Sequence, residues 1–220
     1  MKVAVVMMLR DEIDIIEKCL SHWQSIGVEN FYICDNGSVD GSDTIAKNYA
    51  AYFISDNRTN WPGREIINTL KNKALSDGCD WIFPADADEF ITTPDIHQWL
   101  ESYNTSFGWG EMKYLNILPS GYNYFQEPHR KVFGKLKSEW NISMGNHIIE
   151  GIEPTIDSNG VYYKHYSLRT YEQFKKKMIN YMTAFNQTVF TDHPHSVDYH
   201  KYMSEGEAFL ERRWFELTNV

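Results

Sequence analysis

Cysteine is scarce: three residues in 220, at Cys19, Cys34 and Cys79, with no CxxC pair. That spacing excludes a disulfide scaffold and a zinc ribbon. It predicts reduced thiols in or near a core, as in a reducing compartment. Long hydrophobic runs are missing too. The N-terminal "VAVVMML" falls far short of the roughly 20 apolar residues that span a bilayer, and Arg10, Asp11 and Glu12 follow at once. With no small-residue cleavage site, neither a signal peptide nor a membrane span is expected, and the expected location is the cytoplasm. Basic charge is in deficit, 21 Lys and Arg against 30 Asp and Glu, for a net charge of -9. This argues against a nucleic-acid partner. A local basic pocket for a phosphate-bearing small molecule stays compatible with it. Internal repeats and low-complexity linkers are absent.

Aromatic residues are plentiful, at 15% of the chain. They enlarge a core, and they can also line a carbohydrate cleft, because sugar rings present flat C–H faces. The first half alternates strand and helix patterns. Val3–Leu9, Asn30–Asp35, Ala51–Ser55 and "DWIFPAD" read as strands. The first lacks polar alternation, as a strand covered on both faces does. Between them, Ile16, Cys19, Leu20, Trp23 and Ile26 repeat at helical spacing, with Asp11 as a candidate cap and Gly27 as the stop. Ser42 or Asp43 can cap a short helix through Tyr49, and Arg64–Ser76 is a third helix. This order predicts an α/β fold with a mostly parallel sheet, whose ligands bind at the carboxyl ends of the strands. Three polar strand ends should converge there: Arg10–Glu12, Asp35–Ser38 and Asp86–Asp88.

The second half is mixed. Asp95–Tyr103 reads as a short helix. Glu111–Leu118, Lys131–Leu136 and Gly160–His165 read as strands, and Thr170–Phe190 and Tyr199–Leu217 as helices. One domain is expected, with a helical C-terminal extension.

The motif richest in chemistry is "CDWIFPADADEFI". Asp86 and Asp88, one residue apart at a strand end, can both reach one hard cation. Mn²⁺ or Mg²⁺ would relieve their repulsion and carry a diphosphate. Asp80, at the start of the strand, should lie at the opposite edge of the sheet.

"VVMMLRDEIDIIEKCLSHWQSIGVENFYICDNGSVDGS" followed by "DWIFPADADEFI" resembles the GT-A glycosyltransferases, of the family-2-like type and its family-92 relatives. The same stretches also resemble glycosyltransferases of large algal viruses. The resemblance covers about Met1–Thr92, with a looser echo through "HYSLRTYEQFKKKM". It implies a nucleotide-diphosphate sugar donor, a divalent metal and transfer to an acceptor hydroxyl. It divides the chain into a nucleotide-sugar half (1–92), an acceptor-side half (93–169) and C-terminal helices (170–220).

Carried over by position, Arg10, Asp11 and Glu12 match the loop that meets the nucleotide. Asp35, with Asn36, matches the acidic strand end that contacts base or ribose; a turn-forming Asp before Asn-Gly is the plain alternative. Lys71 lies on a helix that often carries a nucleotide contact, and solvated charge is its plain alternative. His165, in "HY", matches a third metal ligand or diphosphate contact. Arg169 and Lys175–Lys177 can compensate leaving-group charge. A base for the acceptor hydroxyl can come from Glu150 or His147 in "MGNHIIEG", or from Glu89 or Asp95. The histidines of "TDHPHSVDYH" lack zinc spacing and read as a loop that can close as a lid.

The expected function is metal-dependent transfer from a nucleotide sugar to a glycan or glycoprotein hydroxyl; a homodimer is compatible with it. A sugar-nucleotide nucleotidyltransferase is the alternative, although "MLRDEID" lacks that class's glycine-rich loop. An inactive glycan-binding module is the non-enzymatic one.

Overall fold

The computed structural model describes residues 1–59, 62–103, 107–125, 129–186 and 201–218. The chain divides into two compact units. The first comprises Met1–Asn57, Gly63–Leu115 and Phe125–His165, and the second Arg58–Pro62, Asn116–Tyr124 and Tyr166–Val220.

The first unit is built on a seven-stranded sheet. Its strands are β1 (Val3–Leu9), β2 (Asn30–Asp35), β3 (Ala50–Ser55), β4 (Trp81–Pro84), β6 (Gly108–Met112), β9 (Lys131–Lys135) and β10 (Ile156–Asp157). Their order is β10-β6-β9-β4-β1-β2-β3. Four of the pairings are parallel, and β9 alone runs against its neighbours β4 and β6. The α/β, mostly parallel sheet expected from the strand–helix order is present.

Both sheet faces are covered, which explains why β1 has no polar alternation. Val3, Val5, Met7 and Leu9 join one cluster with Ile16, Cys19, Leu20 and Trp23 of α1 (Ile16–Ser25) and Ile96 and Leu100 of α4 (Ile96–Glu101). α2 (Ser42–Tyr49) adds Ala46 to that face. Ala4 and Val6 point the other way, to Ile66, Ile67, Leu70 and Ala74 of α3 (Gly63–Ser76). Trp23, Trp81 and Trp109 are fully buried. Each removes about 150–250 Å² from water, roughly 4–6 kcal/mol at 25 cal/mol per Å².

Close approach of β6, β9 and β10 depends on glycine. A Cβ on Gly134 would lie 2.3 Å from the Gly108 carbonyl oxygen, and one on Gly110 2.3 Å from that of Ile156. The run read as one strand, Glu111–Leu118, divides at Lys113. β6 stays in the main sheet, and β7 (Tyr114–Ile117) enters a small sheet ordered β5-β11-β7-β8. There β5 (Glu89–Ile91) pairs antiparallel with β11 (Tyr163–His165), placing His165 opposite Glu89. β8 is Asn123–Phe125.

Several caps differ from expectation. α1 begins after Ile15 with no side-chain cap, and Asp11, at φ 57°, accepts from the Val39 N–H instead. Gly41 precedes α2. Gly27, at φ 103°, ends α1 as expected. Asp95 caps α4, accepting from the N–H groups of His97 and Gln98, so this carboxylate is not free to act as a base.

In the second unit, α5 (Tyr171–Asn186) and α6 (Glu207–Thr218) share a small core of Phe174, Met178, Phe209 and Leu210. The last helix is interrupted at Gly206, whose φ is 65°. The "TDHPHSVDYH" loop lies outside the described residues. No helix among the described residues is long and apolar enough to cross a membrane. Cys19, Cys34 and Cys79 are buried free thiols.

Candidate active site

The carboxyl edge of the sheet gathers the expected strand ends. Leu9 is in register with Asp35, and the Ala85 N–H donates to the Val6 carbonyl. The first two loops are laced together, with Asp11 N–H donating to Ser38 Oγ (2.9 Å) and Glu12 N–H to Ser42 Oγ (2.8 Å). Asp80 sits at the opposite edge, accepting from the Lys2 N–H at 2.7 Å.

After β4 the chain makes a tight turn through Asp86 to Glu89, in which Glu89 N–H donates to the Asp86 carbonyl. Returning the contact, Asp86 N–H donates to Glu89 Oε2 at 3.0 Å. The charges of these two residues meet Lys131, the first residue of β9. Its ammonium lies 2.7 Å from Asp86 Oδ2 and 3.0 Å from Glu89 Oε1, and donates to the Gly145 carbonyl at 3.2 Å. The Lys131 side chain is 5% exposed and that of Glu89 0%, while that of Asp86 is 46% exposed. Burial alone would lower the lysine's pKa; the charges of Asp86 and Glu89 more than reverse this and hold it above its usual value. Burial likewise drives Glu89 above the ordinary carboxylate range, with Lys131 opposing and Asp86 and Asp88 reinforcing.

Asp88 is almost fully buried, and its Oδ1 lies 3.6 Å from His165 Nε2. The imidazole rests edge-on against Tyr114. Beneath the turn, Cys19 Sγ donates to the Glu89 carbonyl at 3.6 Å. Burial first, then the nearby carboxylates, push this thiol's pKa well up.

Two oxygen or nitrogen ligands at a strand end suit a hard or borderline divalent cation whose remaining positions go to a substrate and water. Asp88 and His165 meet that description. Among the described residues, no group of three or more His, Cys, Asp or Glu side chains is arranged to hold a metal. Of the expected Asp86-x-Asp88 pair, Asp86 is ion-paired with Lys131 and Asp88 faces His165.

His147 follows a short 3₁₀ turn, Met144–Asn146. Its Nδ1–H donates to the Arg130 carbonyl at 2.5 Å, leaving Nε2 with the lone pair. Burial, with Lys131 and His129 nearby, lowers its pKa, so the ring is neutral near pH 7. Arg130 also lines a cleft of about 560 Å³ with Glu111, Lys113, Phe125, Asp157 and Tyr162. Phe125 and Tyr162 meet edge to face there.

Other expected site residues are placed differently. Lys71 is wholly buried and donates to the carbonyls of Lys137, Ser138 and Trp140, so its charge serves the fold rather than a nucleotide. Asn36 is buried, its amide donating to the Asp56 carbonyl. Asp35 takes the turn-forming role, accepting from the N–H groups of Gly37 and Ser38. Glu150 is held by Arg64 at 2.5 Å. Glu89 is sealed from solvent and cannot reach an acceptor hydroxyl. In Arg10, Nε is buried without a hydrogen-bond partner among the described residues.

No family model and no curated protein matches the chain. Among solved structures, glucosyl-3-phosphoglycerate synthase from Mycobacterium tuberculosis with Mn²⁺ and UDP-glucose is similar at 17% identity and TM-score 0.35. The similarity covers 52% of this chain and 43% of that one. A mycobacterial protein aligns at 18% identity and TM-score 0.38, over 55% of this chain and 43% of that chain. The chain thus spans less than half the length of these structures, and similarity at this level assigns neither activity nor substrate.

Lys131 was not among the expected site residues; the sequence marks it only as the first residue of a strand, Lys131–Leu136. A signal was present: Lys131 shares its strand face with the buried Phe133, and a lysine there needs a partner.

Proposed function

We propose that the chain is a GT-A-type glycosyltransferase that moves a sugar from a nucleotide-diphosphate donor to a hydroxyl of a glycan or glycoprotein. The observation carrying this reading is the Asp88–His165 pair, 3.6 Å apart at the carboxyl edge of the parallel sheet. Bound Mn²⁺ or Mg²⁺, held by Asp88 and His165, would stabilise negative charge on the departing diphosphate. Arg10 offers a buried, unsatisfied N–H donor at the same edge and suits an anionic group. The laced loops at Asp11–Glu12 and Asp35–Ser38 form the floor for base and ribose. In the cleft, Phe125 and Tyr162 give a face for a sugar ring, and Glu111, Asp157, Lys113 and Arg130 give acceptors and donors for its hydroxyls. As the acceptor oxygen bonds to the anomeric carbon, its proton can pass to His147 Nε2, the free nitrogen of a neutral ring.

The test is a thermal-shift panel of UDP-, GDP- and dTDP-sugars with and without Mn²⁺, followed by product analysis. One nucleotide should stabilise the protein only with the metal, and Asp88→Ala should abolish that shift and transfer while the fold persists. Full transfer by Asp88→Ala, or transfer unaffected by EDTA, would overturn the reading. Product analysis with nucleoside triphosphate and sugar phosphate separates the nucleotidyltransferase alternative.

A further inference from the structure

Two histidines meet just before β9. The rings of His129 and His147 lie 5.1 Å apart, centre to centre, and 36° from parallel. They come from separate segments, the approach to β9 and the end of the Met144–Asn146 turn. His147 is set up as a ligand. Its Nδ1–H donates to the Arg130 carbonyl, which fixes the tautomer and leaves the Nε2 lone pair for a cation. Gly145 keeps that nitrogen open, since a Cβ there would stand 2.7 Å from it. His129 is exposed, so its ring can turn to present either nitrogen. Two imidazoles on one tetrahedral ion, bonded at about 2.0–2.1 Å, place their ring centres roughly 5 Å apart. Lys131 opposes a cation at His147, and Asp86, ion-paired with that lysine, offsets it.

We propose that His129 and His147 form a second metal site, which takes a borderline cation such as Zn²⁺ and closes the Nε2 of His147 to the acceptor. No third His, Cys, Asp or Glu joins the pair among the described residues, so water completes the shell and the ion exchanges readily. Nitrogen ligands set the site apart from the oxygen-preferring Mg²⁺. The inhibitory consequence rests on His147 accepting the acceptor's proton; the site itself does not. While zinc holds the lone pair, Nε2 cannot take that proton, and transfer stops until the ion leaves.

Equilibrium dialysis of Zn²⁺ against the whole chain tests the site without turnover. Asp88→Asn, as a common background, removes the cation place at the acidic turn. In that background zinc should bind at neutral pH and stay bound in millimolar Mg²⁺. His129→Ala and His147→Gln should each weaken binding about tenfold or more. Glutamine keeps a donor for the Arg130 carbonyl; should that variant still fail to fold, the exposed His129→Ala decides alone. Zinc binding that ignores His129→Ala, or a background protein that binds no zinc, overturns the inference. Transfer assays in Mn²⁺ give a second arm. Zinc should inhibit the wild type, and His129→Ala should raise the half-inhibiting concentration about tenfold, with each rate scaled to its own zinc-free value. Inhibition of equal strength in both puts the inhibiting ion elsewhere and overturns the inference. Zinc that binds the pair yet leaves transfer unchanged upholds the site and overturns His147 as proton acceptor. Absence of transfer with every donor overturns the glycosyltransferase reading, and dialysis still judges the site.

Discussion

Single residues differ most from what their type suggests. Lys71 and Lys131 are both buried lysines, yet burial lowers the pKa of one, and carboxylates raise that of the other. Lys71 donates to three carbonyls, and the charge of Glu139 only partly offsets its burial. Lys71→Met strands those acceptors, and urea titration should show a loss of about 2–3 kcal/mol. His147 gives a pH signature. Its folded pKa lies below the ordinary value, so the unfolded chain takes up the proton first as pH falls. Its stabilising contribution is therefore complete above about pH 6.5 and shrinks as pH drops through its folded pKa. The melting-temperature difference between wild type and His147→Gln should narrow from pH 7 to pH 5; a constant gap would show that the ring is not held neutral. The acidic motif and the His in "HY" could be picked out from the sequence because short-range patterns carry them. The partner of Asp86 could not, since it lies 45 residues away, and the place of Lys131 on a buried strand face does not say which carboxylate it meets.

Among elements, the strands and helices of the first half follow the sequence reading within a few residues. Most carry an apolar face and are bounded by glycine or a polar cluster, so local pattern and tertiary burial agree. The second half was harder for a physical reason. Its strands are short, and whether they join the main sheet or the small one depends on pairing partners distant in sequence. The division at Lys113 is such a case, for "EMKYLNIL" reads as one continuous strand. Glycine spacing gives the elements another constraint. Gly134→Ala would drive a methyl group into the Gly108 carbonyl and the Trp109 backbone, displacing β6 from β9. The expected cost is about 2–3 kcal/mol, measurable as a drop in the denaturation midpoint, whereas Gly121→Ala, with open space around its Cβ position, should lose only what its positive φ imposes.

For the whole molecule, the scarcity of cysteine becomes a measurement. All three thiols are buried, and the thiols of Cys19 and Cys79 have raised pKa values, with burial the leading cause. A thiol reagent at pH 8 should therefore label no cysteine rapidly in the native protein and all three after unfolding. Rapid labelling of even one native thiol would contradict this packing. The net charge of -9 sets a second expectation, weak retention on immobilised DNA at physiological salt.

In the seven-stranded sheet, the strand that opposes its neighbours also sets an order of events. Because β9 runs against β4, its first residue, not its last, stands at the edge where the parallel strands finish. The chain through β4 is therefore synthesised with Asp86, Asp88 and Glu89 exposed to one another, and their counter-charge arrives only when residue 131 emerges. Until β9 docks, water and passing ions must hold the turn apart. That contact, across 45 residues, closes a longer loop than the local strand–helix turns. A chain stopped before Lys131 would carry the acidic motif in full, without the residue that gives it shape.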